Sequence, residues 1–148
     1  MISKTKKLDI QYLENMCNEL ELKYSILKDS DKETGIRLDF LTKEGDELKI
    51  YLNMDVKSSK FYLLIGDILR LEKVNKKKEE LLEELMIMNA QEIIYGNLGY
   101  LQEMKEVIYT HTVSLEERNE FGKEEFFDYI AYAMFLRKTL HQKYYINL

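Results

Sequence analysis

The chain has 148 residues, 45% of them hydrophobic, enough for a single domain over 1–148 that buries about two-thirds of its unfolded surface. Charged residues make up 33%, but the signs are interspersed and the net charge is only −5, which excludes the clustered positive surface that a phosphate backbone requires. One cysteine allows no internal disulfide, no apolar leader follows residues 1–7, and no run approaches the ~20 apolar residues of a membrane span, so a cytoplasmic chain is expected.

Leu8, Tyr12, Leu13, Met16, Cys17 and Leu20 recur at spacings of three and four, which predicts an amphipathic first helix. From Tyr24 the period changes to two. Tyr24 to Lys28 reads as a strand, 29–35 as turn chemistry, Ile36, Leu38 and Phe40 as a second strand, and Leu48, Ile50, Leu52 and Met54 as a third after the turn at 43–46. The stretch 61–72 reads as a fourth strand with a bend or bulge at Gly66-Asp67, although Leu64, Ile65, Ile68 and Leu71 also keep helical spacing.

A second helix is expected over 79–88, with Leu81, Leu82, Leu85 and Met88 on one face, Asn75 as N-cap and Asn89 at its exit. Strands at 92–100 and 107–113 follow, joined by a turn near 102–105. Ser114 with Glu117 three residues on reads as a capping box opening a last helical region, whose main helix runs from Lys123 to about Gln142. The expected class is α+β, a mostly antiparallel sheet flanked by helices in the order α-β-β-β-β-α-β-β-α.

No catalytic constellation is visible. Asp29-x-Asp31-x-Glu33 opens like a calcium loop, but its sixth position is Thr34 and its twelfth Phe40, where Gly and Glu are required. His111 and His141 stand apart without neighbouring ligands, and Cys17 lies on or beside the apolar stripe of the first helix, where a buried, unreactive thiol is expected. Gly96-x-x-Gly99 lies between strands instead of opening a helix, so it suits a bulge or tight turn and not a phosphate loop. Lys76-Lys77-Lys78, followed at once by Glu79-Glu80, reads as a solvated first helical turn. Neither a cofactor, a metal nor an enzymatic activity is expected.

The terminal helix carries the functional signal. From Phe126 to Leu136 only Asp128 is charged. If Phe126, Phe127, Ile130, Ala133 and Met134 face the sheet, then Tyr129, Tyr132, Phe135 and Leu136 are left over, and that face must be covered within the domain or by a second chain. Tyrosines suit a contact surface that is both apolar and hydrogen-bonding. Met86 on the central helix adds to the excess, and these five residues are the expected partner-binding set.

The order of elements, together with the block L-M-I-M-N-A-Q-E-I-I-Y-G-N-L-G-Y-L over residues 85–101, resembles the YbjN-like family and the structurally similar type III secretion chaperones. In these the central helix often ends in a pair of Asn three residues apart. Asn89 matches the second, while Met86 stands where the first would be. The resemblance implies a mixed sheet flanked by helices and a cofactor-free binding protein, usually a homodimer, acting as chaperone or regulator. The alternative reading is an acidic phage-borne inhibitor or immunity protein that blocks an effector by direct contact. Either way the expected partner is a protein, self or client.

Overall fold

The structure, a computed structural model, describes residues 7–43 and 45–145. Three α-helices and six strands follow in the expected order: α1 Ile10–Glu19, β1 Tyr24–Asp29, β2 Lys32–Leu41, β3 Glu47–Asp55, β4 Lys60–Arg70, a 3-10 turn Leu71–Lys73, α2 Lys78–Gln91, β5 Asn97–Leu101, β6 Glu106–Ser114 and α3 Lys123–Tyr144. The strands form one open antiparallel sheet of six in the order β1-β2-β3-β4-β6-β5. Residues 61–70 are strand, and inward alternation holds from Phe61 to Ile65, then breaks at Gly66-Asp67 so that Ile68 and Leu69 are both buried.

Contacts divide the chain into two compact units, Met1–Leu63 with Thr112–Phe126, and Leu64–His111 with Phe127–Leu148. In the first, Asp9 caps α1 by accepting from the Tyr12 amide at 3.0 Å, and Leu13, Met16 and Cys17 are buried beneath it. Burial pushes the Cys17 thiol up to about 11, with Glu14 adding to the shift. The β1–β2 hairpin turns at Ser30-Asp31, and β2 begins at Lys32 instead of Ile36, because a register shift after Leu27 absorbs the polar residues into the strand. Gly35 is required there, since a Cβ would come within 2.7 Å of the Leu52 carbonyl oxygen. Phe61, Phe121 and Phe126 form a fully buried cluster with ring centroids 4.8 to 6.2 Å apart, and the Tyr12 hydroxyl ties the 121 backbone by donating to Phe121 O at 2.8 Å.

In the second unit α2 begins at Lys78, so Asn75 is not its N-cap. The Lys77 cap position makes no side-chain bond, and the Asn75 amide instead donates to Tyr144 O at 2.9 Å. Around that bond the end of α3 is held by an isolated bridge between Val74 and Tyr145, a 2.8 Å bond from the Arg70 amide to the Tyr145 hydroxyl, and a 2.8 Å bond between His141 Nε2 and Ile68 O. Strand β5 starts at Asn97, five residues later than expected, and residues 92–96 form a connection. In the first unit no helix forms at Ser114. The hydroxyl accepts from the Glu116 amide at 3.4 Å in a turn, and Glu117 adopts φ 59°, a left-handed conformation that no helix interior accommodates. Among the described residues no helix is long and apolar enough to cross a membrane.

Candidate interaction surface

The 92–98 connection is hydrogen-bonded almost residue by residue, and this is what builds the surface. The amides of Glu92 and Ile93 both donate to Met88 O, at 2.9 and 3.1 Å, closing α2. The Ile94 amide donates to the Tyr132 hydroxyl on α3 at 3.0 Å, and the Tyr95 carbonyl accepts from the Tyr109 hydroxyl at 2.6 Å. Gly96 has φ +79°, and a Cβ there would collide with the Thr110 carbonyl oxygen, so only glycine fits. Finally, the Asn89 carboxamide accepts from the Leu98 amide at 2.8 Å and donates to the Leu98 carbonyl at 2.9 Å, meeting both edge-facing groups of β5 as a neighbouring strand would. Asn89 therefore lies within α2 and clips the helix to the sheet edge, a role beyond marking the helix exit.

Tyr95 is the centre of an aromatic cluster. Its ring meets Tyr129 at 5.1 Å and Tyr132 at 5.5 Å, both edge-on, and His111 at 5.6 Å, while His111 and Tyr129 are 4.6 Å apart. These T-shaped contacts suit the ring quadrupoles. Tyr109 beneath is buried, and burial pushes its hydroxyl pKa up, with Tyr132 contributing in the same direction.

The five residues expected to bind a partner thus separate. Tyr129 and Tyr132 are half-buried under the 92–96 connection, which supplies part of the cover that the sequence left unassigned. Leu136 is only 5% exposed and belongs to the core with Phe126, Ile130, Ala133 and Leu140, whereas Phe127, expected in that core, is 51% exposed. The expected division of α3 is corrected at these two positions, because the buried residues Phe126, Ile130, Ala133, Leu140 and Tyr144 keep one direction along the helix, with Leu136 on one side of that line close enough to be covered and Phe127 on the other side outside it. Phe135 at 62% and Met86 at 73% stand exposed as expected. Ile94, read as an ordinary strand residue, is 74% exposed. It flanks Tyr132 through its amide, and the Phe135 ring lies 6.5 Å from that of Tyr132 on the same helix.

Among the described residues no three His, Cys, Asp or Glu side chains are grouped to hold a metal ion. Asp29, Asp31 and Glu33 flank the exposed β1–β2 turn.

The fold has solved counterparts. A chain of the ExsC-ExsE complex superposes with a TM-score of 0.62 at 11% identity, covering 90% of this chain and 93% of that one. YbjN from E. coli gives 0.61 at 10% identity, covering 97% and 100%. A chain of the HopA1-SchA chaperone-effector complex gives 0.57 at 10% identity, covering 92% and 91%. By sequence no protein-family profile matches the chain, and no curated protein does. The fold is therefore of the YbjN-like, chaperone-like kind that the resemblance implied.

Proposed function

We propose that the chain is a non-enzymatic protein-binding module, chaperone-like or regulatory, that acts as a homodimer through apolar helix faces. The observation that carries this reading is the exposure of Ile94, in a connection whose backbone is pinned by side-chain hydrogen bonds from Tyr132, Tyr109 and Asn89, together with that of Phe135 on α3 and Met86 on α2. Large apolar side chains on a fixed backbone lose little conformational entropy when covered, which is what a contact surface requires. The likeness to chains solved within the ExsC-ExsE and HopA1-SchA complexes supports the same reading by analogy of fold. In it, Phe135 touches the second copy directly with Tyr129 and Tyr132 beside it on α3, and the exposed Met86 on α2 is left for a further protein partner.

Light scattering of the purified protein is expected to give twice the chain mass at micromolar concentration. Phe135→Glu should return the monomer mass with the circular dichroism unchanged, since burying an unpaired carboxylate in an interface costs several kcal/mol. A wild-type protein that is monomeric at every concentration tested would remove the homodimer and leave only a heterologous partner.

A further inference from the structure

The outer face of α2 has a composition that its helix does not need. Leu81, Leu85 and Met88 are buried. On the opposite side Glu79, Glu83, Met86 and Ala90 follow one another at spacings of three and four, with Glu80 and Ile87 in the adjacent row, and all six are exposed. Acidic residues in the first turn complement the helix dipole, which accounts for Glu79 and Glu80. It accounts neither for Glu83, a turn further on, nor for Met86 and Ile87. Among the described residues none of the nearby lysines, Lys76, Lys77 and Lys78, forms an ion pair with these rows. Lys76 pairs with Glu84 at 2.6 Å on the flank, and the Lys78 ammonium lies over the Tyr100 ring at 5.6 Å. Among the described residues Glu79, Glu80 and Glu83 have no ion-pair partner.

We propose that this face docks an amphipathic helical segment of a partner protein that carries Lys or Arg at one end and two apolar side chains about 10 Å further along, the rise between Glu79 and Met86. The inference rests on the protein-binding reading and adds the partner's chemistry. Apolar anchors cover Met86 and Ile87, and the cations meet Glu79, Glu80 and Glu83, where charge sets orientation and encounter rate. A second copy of this chain fits less well. A two-fold contact centred on Met86 lays the same rows against themselves, and those rows contain no lysine or arginine to meet their carboxylates.

The test uses the full chain and a fluorescein-labelled synthetic helix of roughly 16 residues with two Leu and, two turns away, three Lys, beside a twin in which Glu replaces each Lys. Anisotropy should show saturable binding of the Lys peptide, weakened by salt, and weaker binding of the Glu twin. Glu79→Lys with Glu83→Lys should reverse that preference by about tenfold or more in each direction, and Met86→Asp should abolish both. Reversing the equally exposed acids of α3, Glu124→Lys with Asp128→Lys, should change nothing. If the double reversal disturbs the circular dichroism, Glu79→Gln with Glu83→Gln replaces it and should weaken the Lys peptide alone. The proposal is overturned if the wild type does not bind, if it binds both peptides alike, or if the α3 reversal acts as strongly as the α2 reversal. A homodimer that Met86→Asp dissociates and the charge reversal leaves intact, with no peptide bound, would assign the face to a second copy. That result overturns the basic partner while sparing the protein-binding reading.

Discussion

Two aromatic clusters show how differently rings are used in the two units. Phe61, Phe121 and Phe126 are fully buried and carry no side-chain polar atom, so their cohesion rests on volume and ring geometry, with the Arg118 guanidinium over the Phe121 ring at 5.8 Å. Tyr95, Tyr109, Tyr129 and Tyr132 keep similar ring separations, but their hydroxyls demand partners, and two of those partners are the backbone of the 92–96 connection. The phenylalanines hold a core shut. The tyrosines hold a piece of irregular chain in place and leave its outer side free to be covered by something else. A dry cluster contributes stability, whereas a hydrogen-bonded one fixes a surface.

The contrast is open to measurement. Phe61→Ala should cost about 3 to 5 kcal/mol by urea denaturation, because a fully buried ring leaves a cavity, whereas Phe127→Ala, half-exposed on α3, should cost under about 1 kcal/mol. The single-domain expectation adds that Phe61→Ala should unfold in one transition, and two separated transitions would break it.

Asn89→Ala comes next, at about 1 to 3 kcal/mol, since it strips both bonds from the Leu98 backbone. Amide exchange at Leu98 should accelerate well beyond any global loss, and an unchanged Leu98 rate would deny the clip its role. Tyr132→Phe should lose about 0.5 to 1.5 kcal/mol by removing the acceptor of the Ile94 amide, with faster exchange at Ile94 as its signature.

The smallest effect is in alkali. Tyr144 is pushed up to about 12 by burial, with Glu84 adding to it, and Cys17 to about 11. Both groups hold their proton more tightly folded than unfolded, so their contribution is complete below the ordinary values, near 9 for the thiol and 10 for the phenol, and is lost as pH rises through the folded values. Urea midpoints should therefore start to fall above pH 9. Cys17→Ala should delay that onset, and a curve identical to wild type would show that the thiol plays no part.

The order of elements was legible because the period changes cleanly from 3.6 to 2 at Tyr24 and back again within α2. Boundaries were less so, for local reasons. Asn75 looks like a cap, yet its amide belongs to Tyr144, a partner 69 positions away that no window contains. Ser114 and Glu117 satisfy the letters of a capping box while Glu117 turns left-handed. The faces of α3 could not be divided correctly because apolar residues surround the helix, and periodicity assigns a buried side only where polar residues mark the other. Ile93, Ile94 and Tyr95 continue the apolar run into β5 and so resemble strand. Their hydrogen bonds go to two side chains and a helix carbonyl instead of a neighbouring strand. The one available signal was Gly96, which marks where the chain must change direction.

The 92–98 crossing has a further consequence for how this chain tolerates change. Its successive anchors on Met88, Tyr132, Tyr109 and Asn89 act as a ruler, leaving no residue that could be added or removed without unseating at least one of them. The β1–β2 turn at Ser30-Asp31 imposes no such gauge, since both residues are exposed. Length variation, affinity tags and reporter insertions belong there. The short passage from helix to sheet edge must keep its count, whatever substitutions its exposed isoleucine accepts.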